Sequence, residues 1–229
     1  VHKIWVTTKS FKEQVGCGIS KKNIVVHPNF VSEGFFKRSS RAIPSHTPRS
    51  NSRIKIITIA RLKPWKGLNK CIEVFSRLNG EKDLDWVIIG EGASDFADSF
   101  RRNLSDVREL SNNSITLVES FGQTEIISQL KGADFFVLLS DYEPFGIVLL
   151  EAMALNCRII ASSVGGIPEV LGDGSRGVLV EPNDLQAVVE LIQAYPKNMN
   201  LWNLDGARFY SESLKPSICV PNIFRDLLF

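Results

Sequence analysis

The sequence is poor in the residues that build metal centres and disulfide frameworks. Its 229 residues include four cysteines, which stand far apart, and three histidines that form no cluster with them. Because no Cys-x-x-Cys pair occurs, the pattern argues against a zinc site and against a dense disulfide framework. We therefore expect no bound metal, and we expect the cysteines to be buried, reduced thiols in a cytosolic protein.

Long apolar runs are also absent. No uninterrupted apolar stretch approaches the roughly 18 residues that span a bilayer. The start, Val1 to Trp5, has neither an initiating Met nor the apolar core of a secretory signal. We expect a cytoplasmic protein, with a peripheral place at a membrane surface as the alternative, and a chain that begins partway through something longer.

Acidic residues are scarce at the front of the chain. Residues 1–70 contain 15 Lys and Arg but only Glu13 and Glu33, although the net charge of the whole chain is +2. Such a front could meet anionic phosphate or a lipid surface, or it could be a solvated face that balances the acidic remainder. Aromatic residues are not interleaved with the basic ones, so we expect no nucleic-acid partner.

One early stretch has the composition of a linker, and the pattern of apolar residues changes after it. Residues 38–53 are rich in Ser, Pro and Arg, which is typical of an exposed loop or linker. From Ile54 onward, continuous β-branched runs predict strands buried on both faces. Their alternation with amphipathic segments predicts a doubly wound parallel sheet of the α/β class, whose ligands bind beyond the carboxyl ends of the strands.

The predicted elements place every motif at such a strand end. Strands are predicted at 54–60, 86–90, 115–118, 135–139, 158–161 and 177–180. Helices are predicted at 68–79, within 95–111, near 124–131, after Gly146 and near 184–194. The last zone, from about Ala207, contains one further helical stretch and an apolar tail.

Two acidic residues flank the start of an apolar helix. The run from Glu143 to Ala154 contains Pro144 and Gly146 and then becomes apolar on nearly every side, which is typical of a buried helix. Glu151 lies inside it, where an unpaired carboxylate is costly, and a sugar diol offers two hydroxyl donors at the spacing of its oxygens. The alternative is an ion pair with a core arginine or a cap on a neighbouring element.

Two cations follow the first strong strand. Arg61 and Lys66 precede a helix that begins after Gly67, and cations at a helix N-terminus oppose the macrodipole unless an anion lies between them. The diphosphate of a sugar nucleotide is such an anion, which Arg61 can bind with its planar fork and Lys66 with a point charge. The alternative is a pair of solvated loop cations.

Gly146, at the start of the apolar helix, also has two interpretations. It either lets the backbone approach a phosphate or sugar, or is a simple helix cap.

The same residues carry a family resemblance. Glu143 and Glu151 are separated by seven residues, with Phe-Gly after the first and Ala-Met-Ala after the second, a pattern that resembles the retaining family 4 glycosyltransferases. The resemblance extends to residues 59–67, 88–92 and 165–170 and covers roughly residues 54–195. It implies the two-domain GT-B fold, of which this chain would supply the Rossmann-like, C-terminal donor half.

The resemblance also implies roles for individual residues. Arg61 and Lys66 would stabilise the leaving nucleoside diphosphate, so that transfer needs neither a divalent metal nor another cofactor. Glu143 would hold the transferred sugar with the amides that follow it, and Glu151 would bind the ribose hydroxyls. The remaining implied donor-binding residues are Phe145, Gly146 and Ile147 at the helix start, Thr124 beside the nucleotide base, and Glu169 in a loop that closes over the donor.

By the same resemblance, the chain would be part of a hexosyltransferase. Residues 1–37 would be a remnant of, or connection to, an acceptor domain, residues 54–206 the nucleotide-sugar-binding domain, and residues 207–229 a helix and tail that pack on a partner domain. The acceptor domain would lie in the same full-length protein or in a partner chain, and the acceptor would be a glycan, a lipid or a small molecule. Two alternatives stay open: a non-catalytic nucleotide-sugar-binding module completed by a partner chain, and a GT-B sugar-nucleotide epimerase.

Overall fold

A computed structural model describes residues 4–15, 23–37, 53–119 and 122–219. Most of the predicted linker, the end of the apolar tail, Cys17 and many of the basic residues at the front lie outside the described residues.

The front of the described chain forms a small parallel unit. Strand β1 (Ile4–Val6) leads to helix α1 (Lys9–Val15), and strand β2 (Ile24–Val26) pairs with β1 in parallel. The short helix α2 (Gly34–Lys37) follows. Two strands alone bury little, so this unit depends on its packing against the rest of the chain.

Within the described residues, the main body is a six-stranded parallel sheet covered by helices. Its strands are β3 (Ile54–Ile59), β4 (Leu84–Ile89), β5 (Ser114–Val118), β6 (Phe135–Leu138), β7 (Arg158–Ser162) and β8 (Val178–Val180). The helices are α3 (Leu68–Leu78), α4 (Asp95–Glu109), α5 (Gln123–Lys131), α6 (Ile147–Ala154), α7 (Ile167–Val170), α8 (Leu185–Gln193) and α9 (Leu204–Ser213). The spatial order is β5-β4-β3-β6-β7-β8, so the winding reverses between β3 and β6. The predicted doubly wound α/β sheet is confirmed.

The sheet separates two apolar layers. Along β3, Ile56 belongs to the layer shared with α3, α4 and α8, whereas Ile57 belongs to the layer shared with α5, α6, α7 and α9. Both side chains are fully buried. Because neighbouring strand residues point to opposite faces, a strand with apolar residues at both must be covered on both sides.

Two predicted boundaries were wrong by two or three residues. Strand β4 begins at Leu84 rather than Trp86, because the polar Asp85 is accommodated by an ion pair with Arg53 (3.0 Å between Nε and Oδ1). Helix α9 begins at Leu204 rather than Ala207, because Asn203 caps it by accepting a hydrogen bond from the Gly206 amide (2.9 Å). The predicted boundary at residue 206 therefore falls inside α9.

Helix α9 packs within this chain. The Ser211 hydroxyl of α9 is buried and donates a hydrogen bond of 2.8 Å to the carbonyl oxygen of Leu150 in α6. Helix α9 thus supports α6, the helix that contains Glu151 and begins shortly after Glu143.

The described cysteines follow the expectation in part. Cys71 and Cys157 are buried free thiols, and burial raises the pKa of each to about 12. Cys219 is also a free thiol but is partly exposed, so the expectation of burial was wrong for it. In the described ranges, we find no helix with the length and apolar character needed to cross a membrane.

Candidate functional site

An open cavity lies where the winding of the sheet reverses. Its volume is about 880 Å³, and one wall consists of the last residues of β3 and β4 and those that follow, residues 59–61 and 89–91. The opposite wall is the loop after β6 and the first residues of α6, residues 142–148. Ligands of doubly wound sheets bind at this position, and sites for small molecules typically have volumes of about 300–1,000 Å³.

Six of the predicted site residues line this one cavity. They come from two loops that are distant in the sequence, and they are Arg61, Lys66, Glu143, Phe145, Gly146 and Ile147. The fold thus brings together the two cations, the first acidic residue and the start of the apolar helix.

The loop after β3 is shaped by a proline and a glycine. Pro64 begins a single 3-10 turn that ends at Lys66, and Gly67 follows with a φ of +65°. A Cβ atom on Gly67 would lie 1.8 Å from the carbonyl oxygen of Leu139, the residue after β6. Only glycine permits this approach, so the turn that carries Lys66 lies directly against the end of β6.

Lys66 and Glu143 pair at the cavity wall. The Lys66 Nζ atom donates a hydrogen bond of 2.5 Å to Oε2 of Glu143, and 16% and 10% of the two side chains are exposed. Because the two charges form a charge-assisted hydrogen bond with each other, both are tolerated although their side chains are largely buried. Arg61, in contrast, is exposed and has no ion-pair partner among the residues that the structure describes. Its planar, fork-shaped guanidinium is available to a carboxylate or a phosphate.

The start of α6 faces the same cavity. Gly146 has a φ of +86°, and a Cβ atom there would lie 2.9 Å from Cδ1 of Leu149 and 3.4 Å from Cγ of Glu143. Gly146, the N-cap residue, has no side chain to cap the helix, and Ile147 and Val148 line the cavity. The first amides of a helix have no partner within it, so they can donate to a phosphate or to a sugar hydroxyl oxygen.

Glu151 lies one turn further along α6 and is not part of the cavity wall. Burial raises the pKa of its carboxyl to about 7. In the described part of the chain, neither a cation nor a hydrogen-bond donor offsets this effect. The alternative of an ion pair with a core arginine therefore finds no support in these residues. A role in binding ribose stays a prediction.

Thr124 and Glu169 lie outside the cavity wall. Thr124 is exposed in the first turn of α5, whereas Ile126 of the same helix does line the cavity. Glu169, in α7, accepts a hydrogen bond of 2.8 Å from the backbone amide of Lys9 at the start of α1. Glu169 thus joins the loop after β7 to the front unit, and its predicted contact with the donor stays a prediction.

The sequence interpretation missed several wall residues. Thr7 and Asn29 come from the front unit, which also contacts the loop after β6 through the hydroxyl of Thr8 (3.2 Å to the carbonyl oxygen of Pro144). Trp65 and Tyr142 line the cavity with 45% and 42% of their surface exposed. Their only sequence signal was position, because each directly precedes a predicted site residue.

The described ranges also lack a metal cage of the usual composition. Across residues 4–15, 23–37, 53–119 and 122–219, no three His, Cys, Asp or Glu side chains form a group that could hold a metal ion.

The sheet order and the charged cavity at its reversal point define a Rossmann-like α/β domain. Residues 40–202 match the family model described as glycosyl transferases group 1. The chain belongs to this family, which confirms the resemblance noted in the sequence.

Relatives and solved structures agree with this assignment. N-acetyl-alpha-D-glucosaminyl L-malate synthase of Bacillus anthracis is 31% identical over 171 residues, which cover 74% of this chain and 43% of that protein. The phosphatidylinositol N-acetylglucosaminyltransferase GPI3 subunit of Saccharomyces cerevisiae is 28% identical over 190 residues, which cover 80% and 39%. HepE of Anabaena, solved in complex with UDP-glucose, superposes with a TM-score of 0.81 at 16% identity over 99% of this chain and 64% of HepE.

The similarity to HepE shows a shared fold. The chain spans less than half the length of the two curated relatives described above.

Proposed function

We propose that this chain forms the donor half of a glycosyltransferase active site, which moves a hexose from a nucleotide diphosphate sugar to an acceptor with retention of anomeric configuration. The observation that carries the proposal is the single cavity lined by Arg61, Lys66, Glu143 and the start of α6. Membership of the glycosyl transferases group 1 family supports the reaction class. The UDP-glucose complex of HepE, which shares the fold, supports the donor class.

The proposed chemistry is stabilisation of the leaving group. As the bond between the sugar and the diphosphate breaks, negative charge accumulates on the diphosphate oxygens. Arg61, Lys66 and the first amides of α6 offer donors already in place at the cavity wall, and such preorganised donors stabilise developing charge most effectively. These groups take the part that a divalent cation plays elsewhere, so the proposed transfer needs no metal or other cofactor.

The acidic residues would bind hydroxyl groups. Glu143 lies beside Lys66 and can accept from hydroxyls of the transferred sugar while Lys66 contacts the phosphate. Glu151 would accept from the two ribose hydroxyls, which would supply the donors that its carboxylate lacks. Thr124 is assigned to the side of the nucleotide base, and Glu169 to closure over the donor by way of its contact with the front unit.

The acceptor half would come from elsewhere. Residues 1–53 are too few for a second Rossmann-like domain, so the acceptor domain would lie in the same full-length protein or in a partner chain. The acceptor would be a glycan, a lipid or a small molecule, and the proposed place of action is the cytoplasm or its membrane surface. We therefore expect this chain alone to bind the donor with little or no transfer.

Calorimetric titration of the 229-residue chain with a panel of nucleotide sugars tests this proposal. The panel carries glucose or N-acetylglucosamine on uridine, guanosine, adenosine and thymidine diphosphates. We expect one donor to bind, and Lys66→Ala and Glu151→Ala each to weaken it by about 1.5–3 kcal/mol, the contribution of a charge-assisted hydrogen bond. Unchanged affinity in both variants would refute the site.

Product analysis separates the proposal from its closest alternative. A glycosyltransferase releases the nucleoside diphosphate when the acceptor half is supplied, whereas an epimerase returns an altered nucleotide sugar. Formation of an altered nucleotide sugar by this chain would refute transfer as its reaction.

A further inference from the structure

The loop that carries Lys66 is tied to the loop that carries Glu143 by a residue outside the cavity wall. The backbone amide of Asp141 donates a hydrogen bond of 2.8 Å to the carbonyl oxygen of Trp65, just before Lys66. The side chain of Asp141 accepts a hydrogen bond of 2.5 Å at Oδ1 from Nζ of Lys70, four residues after Lys66. Asp141 therefore forms hydrogen bonds with the chain on both sides of Lys66, at Trp65 and at Lys70.

The charges around the start of α3 explain why this attachment forms. The first turn of α3 holds no acidic residue, yet Lys70 lies in it and Lys66 comes just before it. Cations are unfavourable at the positive end of a helix dipole. The compensating carboxylates come from the facing loop, with Asp141 opposite Lys70 and Glu143 opposite Lys66. Two ion pairs thus hold the loop after β3 and the start of α3 against the loop after β6.

The two pairs differ in their access to the cavity. Lys66 and Glu143 line it, whereas Lys70 and Asp141 are not among its lining residues. Only 16% of the Lys70 side chain is exposed, and 50% of that of Asp141. A bound donor would compete for Lys66, but it would leave the outer pair intact. The outer pair is therefore suited to hold the turn in place while Lys66 changes partner.

We propose that Lys70 and Asp141 are positioning residues, which hold the Lys66 turn against the Glu143 loop so that the Lys66 ammonium meets the donor diphosphate. The proposal rests on the proposed function, because it specifies how the same cavity binds its donor. Neither residue contacts the ligand, and each acts through Lys66.

Asp141→Asn is the sharpest test, because two explanations of the role of Asp141 predict opposite changes in diphosphate affinity. If Asp141 acted only through its charge, its removal near an anion site would tighten diphosphate binding. If it positions Lys66, its removal weakens binding by about two- to five-fold, the effect expected of one partly exposed ion pair. Asp141→Glu, which keeps the charge, should recover part of the loss.

The experiment uses the full 229-residue chain and the diphosphates of uridine, guanosine, adenosine, cytidine and thymidine as probes. The tightest binder is titrated by calorimetry into the parent, Asp141→Asn, Lys70→Met and Lys66→Met. Glu73→Gln is the matched control, because Glu73 forms a 2.5 Å ion pair with Arg77 on the same helix, α3, with both side chains well exposed. We expect Glu73→Gln to bind like the parent, and thermal unfolding to show that every variant is folded.

A double-mutant cycle separates positioning from a general structural effect. If Asp141 acts through Lys66, adding Asp141→Asn to Lys66→Met causes no further loss. An additive loss, or tighter binding by Asp141→Asn alone, overturns the positioning role while the proposed function stands. If Lys66→Met binds as the parent does, the positioning role fails, and if none of the five diphosphates binds, the proposed function fails and the positioning role fails with it.

Discussion

Lys66 and Glu143 stand 77 residues apart in the sequence, yet their side chains are joined by a hydrogen-bonded ion pair of 2.5 Å. The pair forms because β3 and β6 are neighbours in the sheet, so that the loops after them face each other. It places a cation and a carboxylate side by side in the cavity wall, where the proposed function has the donor's phosphate and sugar meet.

Replacing one member of this pair should destabilise the fold. Lys66→Met leaves the Glu143 carboxylate largely buried without its cation, and we expect the free energy of unfolding in urea to fall by about 1–3 kcal/mol. The double variant Lys66→Met with Glu143→Gln should lose less than the sum of the single variants, because it leaves no lone charge. Glu73→Gln, which breaks an exposed pair, should change stability by about 0.5 kcal/mol or less. Equal losses in Lys66→Met and Glu73→Gln would contradict this account.

Gly146→Ala should reduce both stability and nucleotide-sugar binding. The added methyl group would lie 2.9 Å from Leu149 Cδ1 at a φ of +86° and would disturb the first turn of α6. Gly80→Ala is the matched control, since Gly80 has a φ of +82° and nothing lies within 4 Å of its added Cβ. We expect Gly80→Ala to cost about 1–2 kcal/mol from backbone strain alone, with normal affinity in calorimetry. Gly146→Ala should cost more, and its affinity should fall. Normal affinity in both variants would argue against a role for this helix start.

The buried carboxyl of Glu151 should make stability depend on pH. Its pKa is about 7 in the folded chain, against 4.5 for the ordinary group, so between these values the folded state binds more protons than the unfolded state. The contribution of Glu151 to stability should therefore fall as pH rises from about 4.5 to 7 and level off above that range. Glu151→Gln removes this cost, so at pH 8 it should be more stable than the parent by on the order of 2–3 kcal/mol, with little difference at pH 4. A stability difference that is the same in denaturant titrations at both pH values would contradict this.

The same group should make nucleotide-sugar affinity depend on pH. If the ribose hydroxyls donate to the ionised carboxyl of Glu151, the ligand favours the deprotonated form, and affinity should rise as pH increases towards 7 and then level off. A nucleotide sugar is the right ligand, because a free nucleoside diphosphate has a terminal phosphate that itself titrates near pH 6. Calorimetry of Glu151→Gln should show a flat profile over the same range. A flat profile in the parent would mean that Glu151 does not bind the ligand as a carboxylate.

Much of the fold could be predicted from local pattern. The continuous apolar runs at Ile56 and Ile57 and in β6 are buried on both faces, as their composition required. The larger boundary errors lay at ends with a polar residue: Asp85 in β4 pairs with the distant Arg53, and Asn203 caps α9 through the amide of Gly206. The partner of Asp85 is invisible in a local window.

The site could be predicted only in part. Arg61 and Lys66 are cations near a helix N-terminus, and Glu143 is an acid beside an apolar helix, so their charges indicated a site. All three line the cavity. Thr7 and Trp65 carried no such signal, because a neutral side chain gains a place in a cavity wall only from the packing of the elements around it. The attachment of Lys70 to Asp141 was equally hidden, since it joins the start of α3 to a loop 71 residues further along the chain.

By itself, the sequence determined the class of fold and the alternation of strands and helices. These follow from periodicity, burial and backbone sterics, which act between near neighbours in the chain. Only the tertiary structure decided that β6 lies beside β3, that Lys66 meets Glu143, and that the carboxyl of Glu151 is largely buried without a partner among the described residues. Those outcomes depend on which distant surfaces pack together, and the free energy of that choice is spread over the whole core.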